Sequence, residues 1–166
     1  MKRLAGAVVA ALTLGGCLPA VDLPPAAATP AFDPLAFFAG PTRGSGTLTT
    51  LTGGRKTITV TSVGTPGADG ILVLRQNITT EGDGTRQRTW TIKPLGGGRY
   101  TGTLTEAVGA VTAEVVGNRM TIRYATKDYR VRQTLVLGAD GRVANRLDVV
   151  KWGLNVARLG ETIIPD

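Results

Sequence analysis

Histidine and cysteine, two of the side chains that most often carry catalysis or bind metals, are nearly missing from this 166-residue chain. It contains no histidine and one cysteine, Cys17. Without histidine, Ser-His-Asp and Cys-His arrangements are excluded, and the usual zinc, copper and haem sites are disfavoured. We therefore predict that the protein is not an enzyme and that it carries no cofactor and no catalytic metal.

The acidic residues do not suggest a catalytic pair either. Asp69, Asp83, Asp128 and Asp140 lie beside glycine or in turns, where aspartate commonly bonds to the local backbone. Gly96–Gly98 is not followed by a helical pattern, so it does not have the context of a phosphate-binding loop. These features indicate turns rather than chemistry.

The single cysteine ends an apolar N-terminal segment. Lys2 and Arg3 precede an uncharged stretch, residues 4–14, which has the length of a signal peptide and is too short to span a bilayer. The sequence Leu14-Gly15-Gly16-Cys17 resembles the lipobox of bacterial lipoproteins, in which cleavage precedes a cysteine that carries a diacylglycerol. We predict a cleaved signal peptide over residues 1–16 and lipidation of Cys17. The alternative is an ordinary secretory signal with a chance cysteine.

Acylation of Cys17 would explain a lone thiol in an exported protein and would anchor it to a membrane. Leu18, and not aspartate, follows the cysteine, which in the usual sorting pattern of Gram-negative lipoproteins indicates the periplasmic face of the outer membrane. The net charge of +7, of which Lys2 and Arg3 supply two, favours anionic lipid head groups. The basic residues form no run, so we expect no nucleic-acid partner. The sequence identifies no protein partner.

Residues 17–34 are rich in proline and alanine and have no strand pattern. This composition predicts an extended, partly polyproline tether that could reach about 50 Å at ~3.1 Å per residue. The domain proper is predicted over residues 35–166.

The domain has the pattern of an all-β fold. After one possible helical turn with Phe37 and Phe38 packing inward, β-branched runs alternate with glycine-rich turns. Individual strands are predicted over residues 57–63, 71–80, 85–92, 99–105, 111–116, 119–126, 130–137, 142–151 and 154–164. This spacing favours a sandwich or an up-and-down barrel, and sequential hairpins favour an antiparallel meander. Closure into a barrel of about 8–10 strands would leave no free edge.

Several turn-and-aromatic pieces occur in an order that resembles the DUF3833 family of proteobacterial lipoproteins. They span residues 32–164 and comprise Asp83-Gly84 with Trp90, Tyr100-Thr101-Gly102, Gly117-Asn118 with Tyr124, Asn145-Arg146 and Lys151-Trp152-Gly153. The resemblance implies a lipocalin-like barrel and a genomic association with fatty-acid modification. It implies no established activity. The chain departs from the family at Gln76, where members carry an acidic residue.

Strand phase places polar side chains on apolar faces. Gln76 is in phase with Leu72, Leu74 and Ile78, and Arg88 is in phase with Trp90 and Ile92. By the same rule, Gln133 and Asn145 lie on the apolar faces of their strands. A buried amide without a partner costs ~1–3 kcal/mol, so such groups bond to each other, to water or to a ligand.

We predict that Arg88, Gln76, Gln133, Asn145 and Trp90 line a cavity that orients the polar head of a fatty acid or other amphipathic lipid. Alternatively, these residues lie near the barrel mouth or at bulges and reach water. For the whole protein, the alternative to a binding module is a structural or accessory lipoprotein with a packed barrel that acts through protein or membrane contacts. An internal space of ligand size distinguishes the two.

Overall fold

The computed structural model describes residues 18–166, which form ten antiparallel strands, one short α-helix and a 3-10 turn at Ala68–Gly70. The predicted signal peptide and Cys17 lie outside the described residues. The elements are α1 (Pro34–Phe37), β1 (Gly40–Thr50), β2 (Arg55–Pro66), β3 (Leu72–Thr80), β4 (Gly84–Gly96), β5 (Arg99–Leu104), β6 (Val111–Val116), β7 (Arg119–Ala125), β8 (Arg130–Leu137), β9 (Val143–Lys151) and β10 (Leu154–Pro165). No helix in this range is long and apolar enough to cross a membrane.

The strands form a closed meander. Each strand pairs with the next along the chain, and β1 pairs with β10 from Thr42↔Pro165 to Thr50↔Ala157. This arrangement confirms the predicted all-β, antiparallel, lipocalin-like barrel. Closure satisfies the backbone groups that the first and last strands would otherwise expose.

Nine of the strands correspond to those predicted individually, whereas β1 has no counterpart among them. Its sequence, GPTRGSGTLTT, contains three glycines and lacks alternating apolar residues, so its strand pattern is weak. β1 is nevertheless paired along nearly its whole length, to β2 on one side and to β10 on the other. Its conformation therefore follows from its two neighbours rather than from its own propensity.

The barrel has two unlike ends. The turns β1–β2, β3–β4, β5–β6, β7–β8 and β9–β10 surround one end, called the mouth here; α1 and the remaining turns occupy the other, called the base. Buried Phe32, Phe38 and Leu72 belong to the core at the base. A Cβ on Gly64 would lie 1.7 Å from the Phe38 carbonyl oxygen, so this close approach requires glycine.

The proline-rich segment lies against the outer wall of the barrel. Beside the base, the backbone N–H of Asn118 donates to the Ala27 carbonyl at 2.8 Å. The backbone N–H of Ala27 donates in return to the side-chain Oδ1 of Asn118, also at 2.8 Å. Further up the wall, Val21 packs over Gly160, and Arg158 Nη1 donates to the Pro19 carbonyl at 3.0 Å. Residues 19–27 therefore run along the barrel wall.

Candidate functional site

The barrel encloses a cavity of about 560 Å³, within the range of roughly 300–1,000 Å³ typical of small-molecule sites. Its lining reaches the mouth at Asp83, Thr126 and Tyr129. Most of the wall is apolar and includes Ile58, Leu74, Ile78, Ile122, Leu135 and Leu159. The barrel is therefore not solidly packed, which favours a binding module over the packed-barrel alternative.

One wall of the cavity carries a polar cluster centred on Gln76. Its Oε1 accepts from Arg88 Nε and from Trp90 Nε1, both at 2.7 Å, and its Nε2 donates to Ser62 Oγ at 3.0 Å. The four residues come from adjacent strands, β2, β3 and β4, which place them on the same inner face. Gln76 thereby fixes the orientation of both the guanidinium and the indole.

Arg88 places a positive charge inside the cavity. Its side chain is only 11% exposed, and its guanidinium lies 5.2 Å from the centre of the Trp90 ring. Arg88 Nη1 donates to Glu106 Oε1 at 3.2 Å, and the same carboxylate lies 3.5 Å from Arg86 Nη1. Two arginines thus share one carboxylate, so the local charge is positive. Such a cation, in a largely apolar chamber, can recognise an anionic head group.

Tyr124 adds a phenol to this wall. Its ring packs edge-on against Trp90 with the centres 5.7 Å apart. Burial raises the pKa of the Tyr124 hydroxyl, although the positive charge of Arg88 partly offsets the effect. Tyr124 is therefore neutral at ordinary pH and offers a hydrogen-bond donor near Arg88.

The opposite wall contains a second polar cluster. Asn145 Nδ2 donates to Glu161 Oε2 at 2.7 Å, joining β9 to β10. Burial raises the pKa of the Glu161 carboxyl, while the Asn145 bond and the charge of Arg88 pull it back in part. The carboxylate lies over Gly44, where a Cβ would come within 1.9 Å of Glu161 Oε1. Glycine in β1 therefore makes room for this group.

Two acceptors on the second wall have no partner. Within the described part of the chain, Gln133 Oε1 and Asn145 Oδ1 are buried and accept no hydrogen bond. Both residues line the cavity. An unsatisfied buried acceptor is costly, so these atoms suit a ligand or water that donates a hydrogen bond.

The structure brings the five predicted cavity residues, Gln76, Arg88, Trp90, Gln133 and Asn145, around one space, although on two walls rather than in one cluster. Their role in ligand binding stays a prediction. Sequence reasoning missed Ser62 and Glu161, which the same phase rule would have found beside Val60 and Leu159. It also missed Glu106, which lies in the loop after β5 and has no strand phase to signal it.

The chemistry available in the cavity is that of recognition: largely apolar walls, two arginines, amides, a phenol and carboxyl groups. Across residues 18–166, no three His, Cys, Asp or Glu side chains are placed to hold a metal ion together. The molecule thus has the form of a lipocalin-like barrel whose internal chamber is largely apolar and carries two polar clusters.

The family follows from the sequence as a whole. A family model described as "Protein of unknown function (DUF3833)" matches residues 11–164, and the chain belongs to this family. A comparison with curated proteins finds no match.

A solved structure shares the fold. It is described as "Structure of S-type Phycobiliprotein Lyase CPES from Guillardia theta" and superposes with a TM-score of 0.65 over 80% of this chain and 90% of that chain. The two sequences are 4% identical, so the likeness shows a common barrel architecture alone.

Proposed function

We propose that this protein is a membrane-anchored envelope lipoprotein that binds a fatty acid or other amphipathic lipid inside its barrel. The observation that carries the proposal is the apolar chamber of about 560 Å³ with the nearly buried Arg88 in its wall. Apolar surface favours a hydrocarbon tail, and a cation held by Gln76 and Glu106 favours an anionic head. The two features together match an amphipathic anion.

Anchoring rests on the sequence Leu14-Gly15-Gly16-Cys17. Acyl chains on Cys17 would hold the barrel at a bilayer, and Leu18 directs the protein to the periplasmic face of the outer membrane by the sorting pattern above. Mass spectrometry of the protein from bacterial membranes tests this part: it should show an N-terminal Cys17 carrying acyl chains. An intact Met1 with a free thiol would contradict it.

The proposal contains no catalytic step. The structural neighbour is a lyase by name, but a shared fold does not transfer that activity to this chain. This chain has no histidine to act as a general base at neutral pH. The groups in the cavity are sufficient for binding and orientation.

Native mass spectrometry of the protein purified from its own envelope tests ligand binding. We expect the wild type to carry a lipid adduct, and Arg88→Ala to retain about 10–100-fold less, because a hydrogen bond to a charged group contributes roughly 1.5–3 kcal/mol. Arg75→Ala is the matched control, since Arg75 lies on the same strand as Gln76 but points outward and is exposed. Its adduct should equal that of the wild type.

Two outcomes contradict the proposal: a wild type without any bound lipid, or an Arg88→Ala variant that binds as well as Arg75→Ala. Circular dichroism checks that each variant keeps the barrel. Arg88→Lys provides a second test if Arg88→Ala does not fold, because it keeps the charge and loses the planar geometry. It should bind more weakly than the wild type.

A further inference from the structure

The mouth of the barrel carries large apolar side chains that are exposed. They come from four different hairpin turns or their edges, and we call them the rim: Leu51, Val108, Tyr129, Trp152 and Leu154. Trp152 is 89% exposed. Of the eight large apolar side chains that are exposed among the described residues, these five surround one opening, and the other three lie on β2, β4 and β6. Isolated apolar residues are common on protein surfaces, but a group of five at one opening indicates an interaction site.

The stability of the barrel alone does not explain a tryptophan at position 152. Its φ of 51° is left-handed, a conformation that Asn or Gly adopts more easily in a two-residue hairpin turn. The ring does not pack into the barrel, so no buried apolar surface offsets the strain of this backbone conformation. A bulky ring held outward at such a site is expected where the ring meets a partner.

The chemistry around Trp152 is typical of a membrane interface. Lys151 Nζ lies 4.7 Å from the centre of the Trp152 ring and 5.2 Å from that of Tyr129. Tryptophan and tyrosine concentrate at the head-group level of bilayers, and lysine extends its charge towards anionic lipid while its methylene groups stay in apolar surroundings. Exposed Lys127, in the turn beside Tyr129, adds a second cation.

The path of the N-terminal segment leads towards the same end. From its contact with Asn118 beside the base, the segment climbs the outer wall to Pro19, which accepts from Arg158. Arg158 lies four residues from Leu154, the mouth end of β10, a span of about 13 Å at ~3.3 Å per residue. The described part of the segment therefore ends against the mouth half of the wall.

From these observations, we infer that the rim docks onto the surface of a lipid bilayer, with the cavity mouth facing the membrane. The inference rests on the proposed function and adds the route of the ligand. An amphipathic lipid would pass between the bilayer and the chamber without exposing its tail to water. The base, which α1 and the buried phenylalanines occupy, would face away from the membrane.

Quenching by brominated lipid tests the orientation. The acylated protein is reconstituted into vesicles that contain an anionic phospholipid and a phospholipid brominated near the head-group end of its acyl chains. Trp90→Phe leaves Trp152 as the sole tryptophan of the chain. We expect the emission of Trp152 to lose most of its intensity relative to vesicles of the same lipids without bromine.

A matched variant moves the reporter to the base. Trp90→Phe combined with Trp152→Phe and Leu95→Trp places the only indole near the β4–β5 turn, where Leu95 is 55% exposed, close to the 59% of Leu154 at the mouth. This reporter should keep its emission in brominated vesicles. If Trp90→Phe disturbs the barrel, the difference in quenching between the wild type and Trp152→Phe gives the same information.

Equal quenching at both ends, or quenching at the base alone, would overturn the inference. So would an unquenched Trp152 in a protein that sediments as a dimer and becomes monomeric in Trp152→Ser, because the rim would then meet a second copy of the chain. Bound lipid in native mass spectra without quenching of Trp152 would uphold the proposed function and refute the docking. Quenching of Trp152 in a protein that carries no bound lipid would uphold the docking and refute the proposed function.

Discussion

Two glutamines on opposite walls of the cavity have the same side chain and unlike surroundings. Gln76 accepts two hydrogen bonds through Oε1 and donates one through Nε2. Gln133 is buried, and its Oε1 accepts none from the described residues. The hydrogen bonds of Gln76 therefore stabilise the empty barrel. Gln133 Oε1 accepts a hydrogen bond only when a molecule inside the cavity donates one.

The difference separates stability from function within one site. A buried polar group that is satisfied by its neighbours stabilises the fold, and its removal leaves those neighbours unpaired. A buried acceptor without a partner destabilises the empty protein until a ligand or a water molecule donates a hydrogen bond to it. Substitutions on the two walls test whether Gln76 serves mainly stability and Gln133 mainly ligand binding.

The largest effect is expected for Gln76→Leu. This variant leaves Arg88 Nε and Trp90 Nε1 without their acceptor, which should lower the free energy of unfolding by about 2–4 kcal/mol. Urea denaturation measures the change. Gln76→Glu keeps the acceptor and should lose less, and Asn77→Ala, at the exposed neighbouring position, should lose almost nothing. A loss below that of Asn77→Ala would refute the structural role of Gln76.

Gly44→Ala should have the next largest effect, a loss of about 1–3 kcal/mol, because the new methyl group overlaps the Glu161 carboxylate. The loss should shrink when Glu161→Ala is also present, since the carboxylate is then absent. A double-mutant cycle in urea measures this coupling. Additive losses would show that Gly44 is required for another reason.

Glu161→Gln should change how stability depends on pH. Because the pKa of Glu161 is raised in the folded protein, the folded state keeps this proton where the unfolded chain has lost it. Its stabilising contribution is full below the ordinary pKa of 4.5 and is lost as the pH rises through the raised value. Melting temperatures across this range should therefore fall less steeply with pH in Glu161→Gln. A Glu161→Gln variant whose melting temperature falls as steeply as that of the wild type would contradict this role of Glu161.

Gln133→Leu should have the smallest effect on stability, a change within about 1 kcal/mol in either direction, because it removes an unpartnered acceptor at similar volume. Its effect should appear instead in native mass spectra, as a smaller lipid adduct than in the wild type. A loss of stability comparable to that of Gln76→Leu would erase the distinction between the two walls.

The sequence predicted most of the barrel because its strands alternate strongly and its turns are short. Gly117-Asn118 and Ala139-Asp140-Gly141 mark hairpin turns, and Gly117 indeed has φ of 58°. β1 was not predicted, because its conformation depends on pairing with strands distant in sequence. Composition likewise predicted an extended tether at residues 17–34, but local sequence cannot reveal that Val21 packs against the backbone of Gly160.

Within the candidate site, phase predicted which side chains face inward but not which ones meet. That Gln76 bonds to Trp90 follows from the register of β3 against β4, in which Gln76 opposes Arg88 and Leu74 opposes Trp90. Strand register depends on turn geometry and on the packing of the whole wall. The sequence therefore predicted polar groups of the cavity, and only the structure shows that they form two separate clusters.

The closing pair of strands also bears on how the chain acquires its shape. β1 and β10 come from opposite ends of the domain, so their ladder cannot form until the final twelve-residue strand has been synthesised. Until then the nascent meander has two open edges, each able to pair with another molecule. Completion of the ring is thus a late and non-local step in folding, and a chain truncated before residue 154 should aggregate.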